Sequence, residues 1–285
     1  MQNEKAILEV VEYTDPYCTW CWGSEPILRK IKEKYGNQVK VNFKMGGLVA
    51  DIKQFYDPAN QIGGINWYKQ VASHWIDASN RHGMPVDGQV FYDIKDEAFS
   101  TYPANIAYKS AELQDEELAK KFLRRMREGA AAERKVIQRI EVQAKLAEEA
   151  GLKKDQFIED IKSGRAEKEF LKDLKEARSR GITGFPTFLI RSPEGKEVIL
   201  HGYQSFKRFE QAFDSLKGGD LKPLKIVRDE NNILKFIKKY QRAAPKEVSE
   251  VFDLTTESAM ELLSSLKEKG KIKEEKVGNG FFYSV

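Results

Sequence analysis

Apolar positions along the chain change period several times. From 5 to 13 they run almost unbroken (Ala6-Ile7-Leu8, Val10-Val11, Tyr13), the β-branched pattern of a buried strand. After Pro26 the spacing of Ile27, Leu28 and Ile31 predicts a helix over 18–35 that ends near Gly36. Val39, Val41 and Phe43 alternate with polar residues, a second strand that runs into a turn at Met45-Gly46-Gly47-Leu48. Between about 50 and 165 the period lengthens. Trp67, Val71, Trp75 and Ile76 share one helical face, and similar stripes follow through Ile106, Phe122, Ile140 and Phe157. Five or six helices are expected there, with one more around Phe170, Leu174 and Ala177. Strand signals return at Pro186-Thr187-Phe188-Leu189-Ile190 and at Glu197–Leu200, a hairpin turning at Ser192-Pro193-Glu194-Gly195. An amphipathic helix over 205–217 follows, and Gly218-Gly219-Asp220 with Pro223 marks a boundary. The tail then reads as a helix (Ile233–Tyr240), a short helix (Pro245–Phe252) and a third helix capped by Thr255 and ending at Gly270. A hairpin turning at Gly278-Asn279-Gly280 closes it.

The element order predicts an α/β chain in three parts. Residues 1–50 and 166–218 form an α/β unit, 51–165 a large α-helical insertion after the second strand, and 226–285 a small α+β unit with the helix-helix-helix-hairpin order of a winged helix. The aromatic triplet Phe281, Phe282 and Tyr283 is expected to finish the tail's own core.

Composition narrows the function classes. Hydrophobic residues make up 41%, enough for a substantial core, and 48 basic residues against 44 acidic ones leave a net charge of only +4. That balance argues against a nucleic-acid or membrane-surface protein. No apolar run approaches the ~18 residues that span a bilayer. The start, Met1-Gln2-Asn3-Glu4-Lys5, has no apolar signal segment, so a cytoplasmic protein is expected. In that compartment two cysteines are expected to be reduced or cycling rather than a permanent staple.

Those two cysteines are the only ones, and they stand three apart in Asp15-Pro16-Tyr17-Cys18-Thr19-Trp20-Cys21-Trp22-Gly23, between the first strand and the first helix. At a helix N-terminus the unpaired N–H groups and the helix dipole favour an anion, so the first thiol is expected to be acidified and the second can close a disulfide with it. Zinc is the competing chemistry for such a pair. A structural site usually takes four ligands, and none of His74, His82 or His201 has ligand spacing to the cysteines. No metal and no cofactor is expected.

This motif, with Gly46-Gly47-Leu48 after the second strand and Gly184-Phe185-Pro186-Thr187-Phe188 at the strand start, resembles the DsbA-like branch of the thioredoxin superfamily. Within it the chain is similar to the cytoplasmic group of predicted disulfide isomerases, FrnE-like proteins and YjbH-type protease adaptors. The resemblance covers roughly 1–218 and implies a thioredoxin fold interrupted by a helical domain. It implies that Cys18 is the attacking thiol and Cys21 the resolving one. It implies that Pro186 is the family's cis-proline and that the Phe185 backbone pairs with substrate as an added strand, though Phe185 is larger than the residue usual there. It implies that Glu12 is the buried acid that shuttles the inner thiol's proton, but strand alternation alone leaves its face open. Tyr17, Trp20 and Trp22 form an aromatic collar assigned to substrate contact. Trp20 is expected in a groove and Trp75 in the core, with core packing the competing reading for Trp22.

The tail lies outside the resemblance. From Tyr240 onward it carries seven basic and eight acidic residues, the wrong balance for a phosphate-binding surface, so protein contact or dimerisation is expected of it. The leading expectation is a thiol–disulfide oxidoreductase of the reductase or isomerase type, acting on protein or peptide disulfides. The alternative is a non-catalytic or redox-regulated adaptor on the same scaffold. Strongly oxidising relatives carry a histidine between the cysteines, whereas Thr19 and Trp20 stand here. A less oxidising couple is therefore predicted, and a measured potential near that of the periplasmic oxidants, about −120 mV, would refute it.

Overall fold

The computed structural model describes residues 6–217 and 220–285, so the predicted lead-in at Met1–Lys5 and the Gly218-Gly219 boundary lie outside the described residues. Strand β1 (Leu8–Thr14) leads into helix α1 (Thr19–Tyr35) and strand β2 (Val39–Met45). β1 extends to Thr14 because its pairing with β2 runs through Thr14 opposite Met45. A two-stranded ribbon, β3 (Tyr56–Asp57) with β4 (Ile62–Gly63), comes next and was not foreseen from the sequence. Then follow α2 (Trp67–His82), α3 (Val90–Asp93), α4 (Tyr102–Gln114), α5 (Glu116–Ala132), α6 (Ile140–Glu149) and α7 (Lys154–Lys162). Helix α8 (Arg165–Ser179), the hairpin β5 (Thr187–Arg191) and β6 (Glu197–His201), and α9 (Phe206–Lys217) complete the α/β part. The tail contains α10 (Glu230–Lys239), β7 (Arg242–Ala243), α11 (Pro245–Val251), α12 (Thr256–Glu268), β8 (Lys273–Val277) and β9 (Gly280–Ser284).

The main sheet runs β2-β1-β5-β6, with β1 parallel to β2 and antiparallel to β5. This is a thioredoxin fold with a helical insertion after its second strand. β1 is central and buried on both faces. Leu8 and Val10 pack with Ile27, Leu28 and Ile31 of α1 and with Phe209 and Phe213 of α9. Val11 and Tyr13 pack on the other side with Ala177, Ile182 and Leu189. The period of two therefore puts Glu12 on the α1 face, with Leu8 and Val10.

The helical segment has its own aromatic core, in which Trp75 meets Phe91 edge-on at 4.6 Å and Trp67 stacks on Phe99 at 5.1 Å. Phe170 of α8 joins that core rather than the sheet's. Ile76, expected on the buried face of α2, is 37% exposed; the buried stripe instead runs through Trp67, Trp75, Ala78 and His82. The tail closes a second core around Ile233, Phe236, Leu263, Leu266 and Tyr283. Phe282 does not share it: β9 alternation turns this ring toward the helical segment, where it meets Trp22 edge-on at 6.2 Å.

Trp22 is thereby removed from the predicted collar. It is 1% exposed, its Nε1–H donates to the Pro85 carbonyl (2.9 Å), and the Arg124 guanidinium lies over its ring at 4.4 Å. One side chain of α1 thus packs against the segment after α2, against α5 and against β9. Trp22→Ala is expected to cost about 3–5 kcal/mol and to loosen the tail before the sheet, as urea unfolding and limited proteolysis would register.

Candidate functional site

Cys18 is the N-cap of α1, and its Sγ accepts the Cys21 N–H at 3.2 Å. Both cysteines are free thiols, Cys21 wholly buried and Cys18 6% exposed. The Cys18 thiol donates to the Phe185 carbonyl at 3.5 Å, and the Phe185–Pro186 peptide is cis. Residues 167 apart in sequence thus meet at the dithiol. The Phe185 ring lies so close over Gly46 that a Cβ there would sit 2.0 Å from it. A bulky residue before the proline is accommodated by the absence of a side chain at 46.

Cys18 borders a cavity of about 560 Å³ lined also by Trp20, Phe55, Val71, His74 and Phe185, among others. Trp20 stands in its wall, edge-on to His74 and His82. Tyr17 also borders the cavity but is buried. Its ring packs edge-on against Phe99, and its hydroxyl accepts the Gln138 N–H at 3.0 Å, so its first role is structural. Trp67 and Tyr68 do not reach the cavity, whereas Trp75 forms part of its floor. The unforeseen β3–β4 ribbon forms one rim, where Tyr56 is 74% exposed.

Behind the thiols lies a buried polar layer. Glu12 is fully buried. Its Oε1 accepts from Thr14 Oγ1 (2.9 Å) and Arg127 Nη2 (3.1 Å). Its Oε2 has no hydrogen-bond partner of good geometry among the described residues, and the neighbouring acidic group is the Cys21 thiol. Burial pushes the Glu12 carboxyl up to about 7, against the pull of Arg127 and with Glu25 adding to the rise. Burial, the hydrogen-bonded Cys18 sulfur and the Glu12 charge together push the Cys21 thiol well above its usual value. A carboxylate with a free oxygen and a value near neutrality, beside a thiol that must lose its proton before it can react, is the arrangement of a general base.

Four residues that shape the surroundings of the thiols carried little sequence signal. Asp15 is buried and raised by that burial. Its Oδ1 accepts the Tyr17 N–H, and its Oδ2 accepts Leu48 N–H, Thr101 Oγ1–H and Asn105 Nδ2–H at 2.7–2.8 Å. It ties the cysteine loop to the turn after β2 and to α4. Gly46 was visible only as half of a Gly-Gly pair. His82 lies 63 residues from Thr19, and its Nε2 is 3.4 Å from the Thr19 hydroxyl. Its Nδ1 accepts the Met84 N–H, which assigns the ring proton to Nε2, and burial pulls it down to about 4, so it is neutral. A Cβ on Gly23 would lie 2.5 Å from this ring, the reason the motif ends in glycine. Arg127 lies 115 residues from Glu12, in the middle of a helix that reads as ordinary and amphipathic. Among the described residues no three His, Cys, Asp or Glu side chains converge on a metal position, and no helix is long and apolar enough to cross a membrane.

Residues 12–211 match the protein family described as Thioredoxin. The chain is 28% identical over 286 aligned positions to the ClpXP adapter protein SpxH of Halalkalibacterium halodurans, covering 99% of this chain and 90% of that protein. It is 27% identical to the SpxH of Bacillus subtilis with the same coverage. Among solved structures it is similar to the cytosolic disulfide reductase DsbM of Pseudomonas aeruginosa, with a TM-score of 0.53 and 23% identity, covering 68% of this chain and 89% of that one.

The raised Glu12 carboxyl sets a pH dependence. The folded protein holds a proton that the unfolded chain releases above about 4.5, so Glu12 costs stability as pH rises from there to about 7, and no further beyond it. If Glu12 is the base for Cys21, resolution of a Cys18 mixed disulfide accelerates through pH 7 and levels off above. Glu12→Gln is expected to erase that inflection and slow resolution about 10²-fold at pH 7.5, measured by stopped-flow release of a fluorescent thiol.

Proposed function

The chain belongs to the thioredoxin family, in its DsbA-like branch, and from that premise we propose that it is a protein-binding adaptor whose client site surrounds a redox-responsive dithiol. The observation that carries this reading is the extent of the likeness. The match to the SpxH adapters runs over 99% of the chain and so takes in the tail, while that to the DsbM reductase stops at 68%. The added length fits a protein that holds a client and presents it to a protease. The cavity beside Cys18, with the exposed rim at Tyr56, offers an apolar seat for an extended client segment. The reading implies protein partners in the cytoplasm, with the tail as a contact surface.

The second reading is thiol–disulfide exchange, and the meeting of Cys18, Cys21, Glu12 and the cis Phe185–Pro186 bond favours it. The Cys18 thiolate attacks a client disulfide, and one client sulfur leaves as a thiolate. Cys21, its proton passed to Glu12 Oε2, then attacks Cys18 Sγ and releases the second client thiol. The product is a Cys18–Cys21 disulfide and a client reduced by two electrons. The Phe185 main chain, beside the attacked sulfur, would align the client as an added strand.

Client delivery to purified ClpXP and insulin reduction separate the two. For an adaptor, the Cys18→Ser, Cys21→Ser double variant keeps at least half of the wild-type client degradation rate. If exchange is the function, Cys18→Ser abolishes insulin reduction, more than 10²-fold, and client degradation falls with it.

A further inference from the structure

Behind Glu12 the buried charges continue. Arg127 Nη1 pairs with Glu25 Oε1, and Glu25 Oε2 lies 3.6 Å from Arg124 Nη1. Arg124 in turn grips Glu247 with both terminal nitrogens, at 2.8 and 3.1 Å. Arg29 Nη1 reaches the same Glu247 carboxylate at 2.8 Å. Arg124 Nε also holds Glu128 (2.7 Å), which pairs onward with Arg242 (2.8 Å). Glu12, Arg127 and Glu247 are fully buried. The chain of charges starts on β1 beside Cys21, crosses α5 and α1, and ends in the tail. There Glu247 also accepts the Ala244 N–H at 2.8 Å and so caps α11. Arginines 29, 124 and 127 face glutamates 12, 25 and 247, so these six balance only when Glu12 is ionised.

We propose that Arg127 is a positioning residue for Glu12 and Cys21, and that its continuation through Glu25, Arg124 and Glu247 makes the seating of the C-terminal unit and the redox state of the Cys18–Cys21 pair depend on each other. Oxidation by glutathione disulfide removes both thiol protons and two electrons, joins Sγ of 18 to Sγ of 21 and releases two glutathione thiols. Glu12 then faces a neutral disulfide instead of a thiol that exchanges a proton with it. In a dry interior that change is carried along fixed ion pairs with little screening. The last of these pairs holds the cap of a tail helix. Coupling of this kind is reciprocal: if oxidation alters the tail, altering the tail shifts the midpoint. The inference rests on the redox-responsive reading in requiring that the disulfide form.

The full-length protein titrated against glutathione buffers, with Trp20 and Trp22 as fluorescent reporters, tests it. Arg127→Gln withdraws positive charge from beside the thiols and shifts the equilibrium at least tenfold toward the disulfide, a midpoint about 30 mV lower. Arg127→Lys keeps the charge and stays within about twofold of wild type. Glu247→Gln, in the tail, leaves positive charge in excess and shifts the equilibrium at least threefold toward the dithiol. Hydrogen exchange of α11 in the unmutated protein, oxidised against reduced, needs no variant to fold and decides any conflict. A threefold or larger difference supports the coupling. Equal exchange, with Glu247→Gln at the wild-type midpoint, overturns it while leaving the dithiol reading intact. If no disulfide forms at all, both fall.

Discussion

Three arginines inside the protein hold its parts in one arrangement. Arg29 comes from the helix that carries the cysteines, while Arg124 and Arg127 come from the helical insertion, and their carboxylate partners lie on β1, α1 and α11. Charges this deep are expensive to desolvate, and they are tolerated because each guanidinium is paired with a carboxylate, Arg124 and Arg127 with more than one. Removing one partner strands a buried charge at about 3–5 kcal/mol, so any displacement of the tail or of α5 that breaks a pair is opposed by that amount. Apolar contacts alone would allow the tail to slide on the insertion; bidentate pairing of Arg124 with Glu247 allows one register.

The dithiol sits at the end of this network. The N-terminus of α1 supplies the Cys21 amide to the Cys18 sulfur, as any helix N-terminus supplies donors. Nothing about a helix end supplies a base for the inner thiol. Behind the inner thiol lies Glu12, buried against Arg127: desolvation raises the carboxyl and the guanidinium limits the rise, which leaves it near neutrality. The outer surface is tuned separately. Gly46 makes room for Phe185, Gly23 makes room for His82, and the β3–β4 ribbon extends the rim of the cavity. The residues that line the cavity beside Cys18 are therefore different from those that set the electrostatics behind Cys21.

Much of this was legible in the sequence, for local reasons. The strand into the cysteines, the helix out of them, the proline-led strand and the Thr255 cap each follow from periodicity and end signals within about ten residues. The misses share a cause. The motif left Trp22 open between the collar and the core; it is buried because Pro85, Arg124 and Phe282 converge on it from distant parts of the chain. Phe282 was expected in the tail's own core and faces the other way by one step of strand alternation. Ile76 lies just off the stripe that Trp67 and Trp75 define.

By itself the sequence determined the chemistry available: a pair of thiols three residues apart at a helix start, a proline opening a strand, an acid six residues upstream, and no charge excess to attract nucleic acid. These depend on interactions between near neighbours, whose geometry the backbone period sets. The tertiary structure decided what that chemistry is connected to. Whether Glu12 faces water or Arg127, whether Phe185 reaches Cys18, and whether the tail touches the cysteine helix depend on pairings across 115, 167 and more than 200 residues. No local signal encodes such pairings, because the energy that selects them, burial of charge against its partner, exists only once the chain has closed around it.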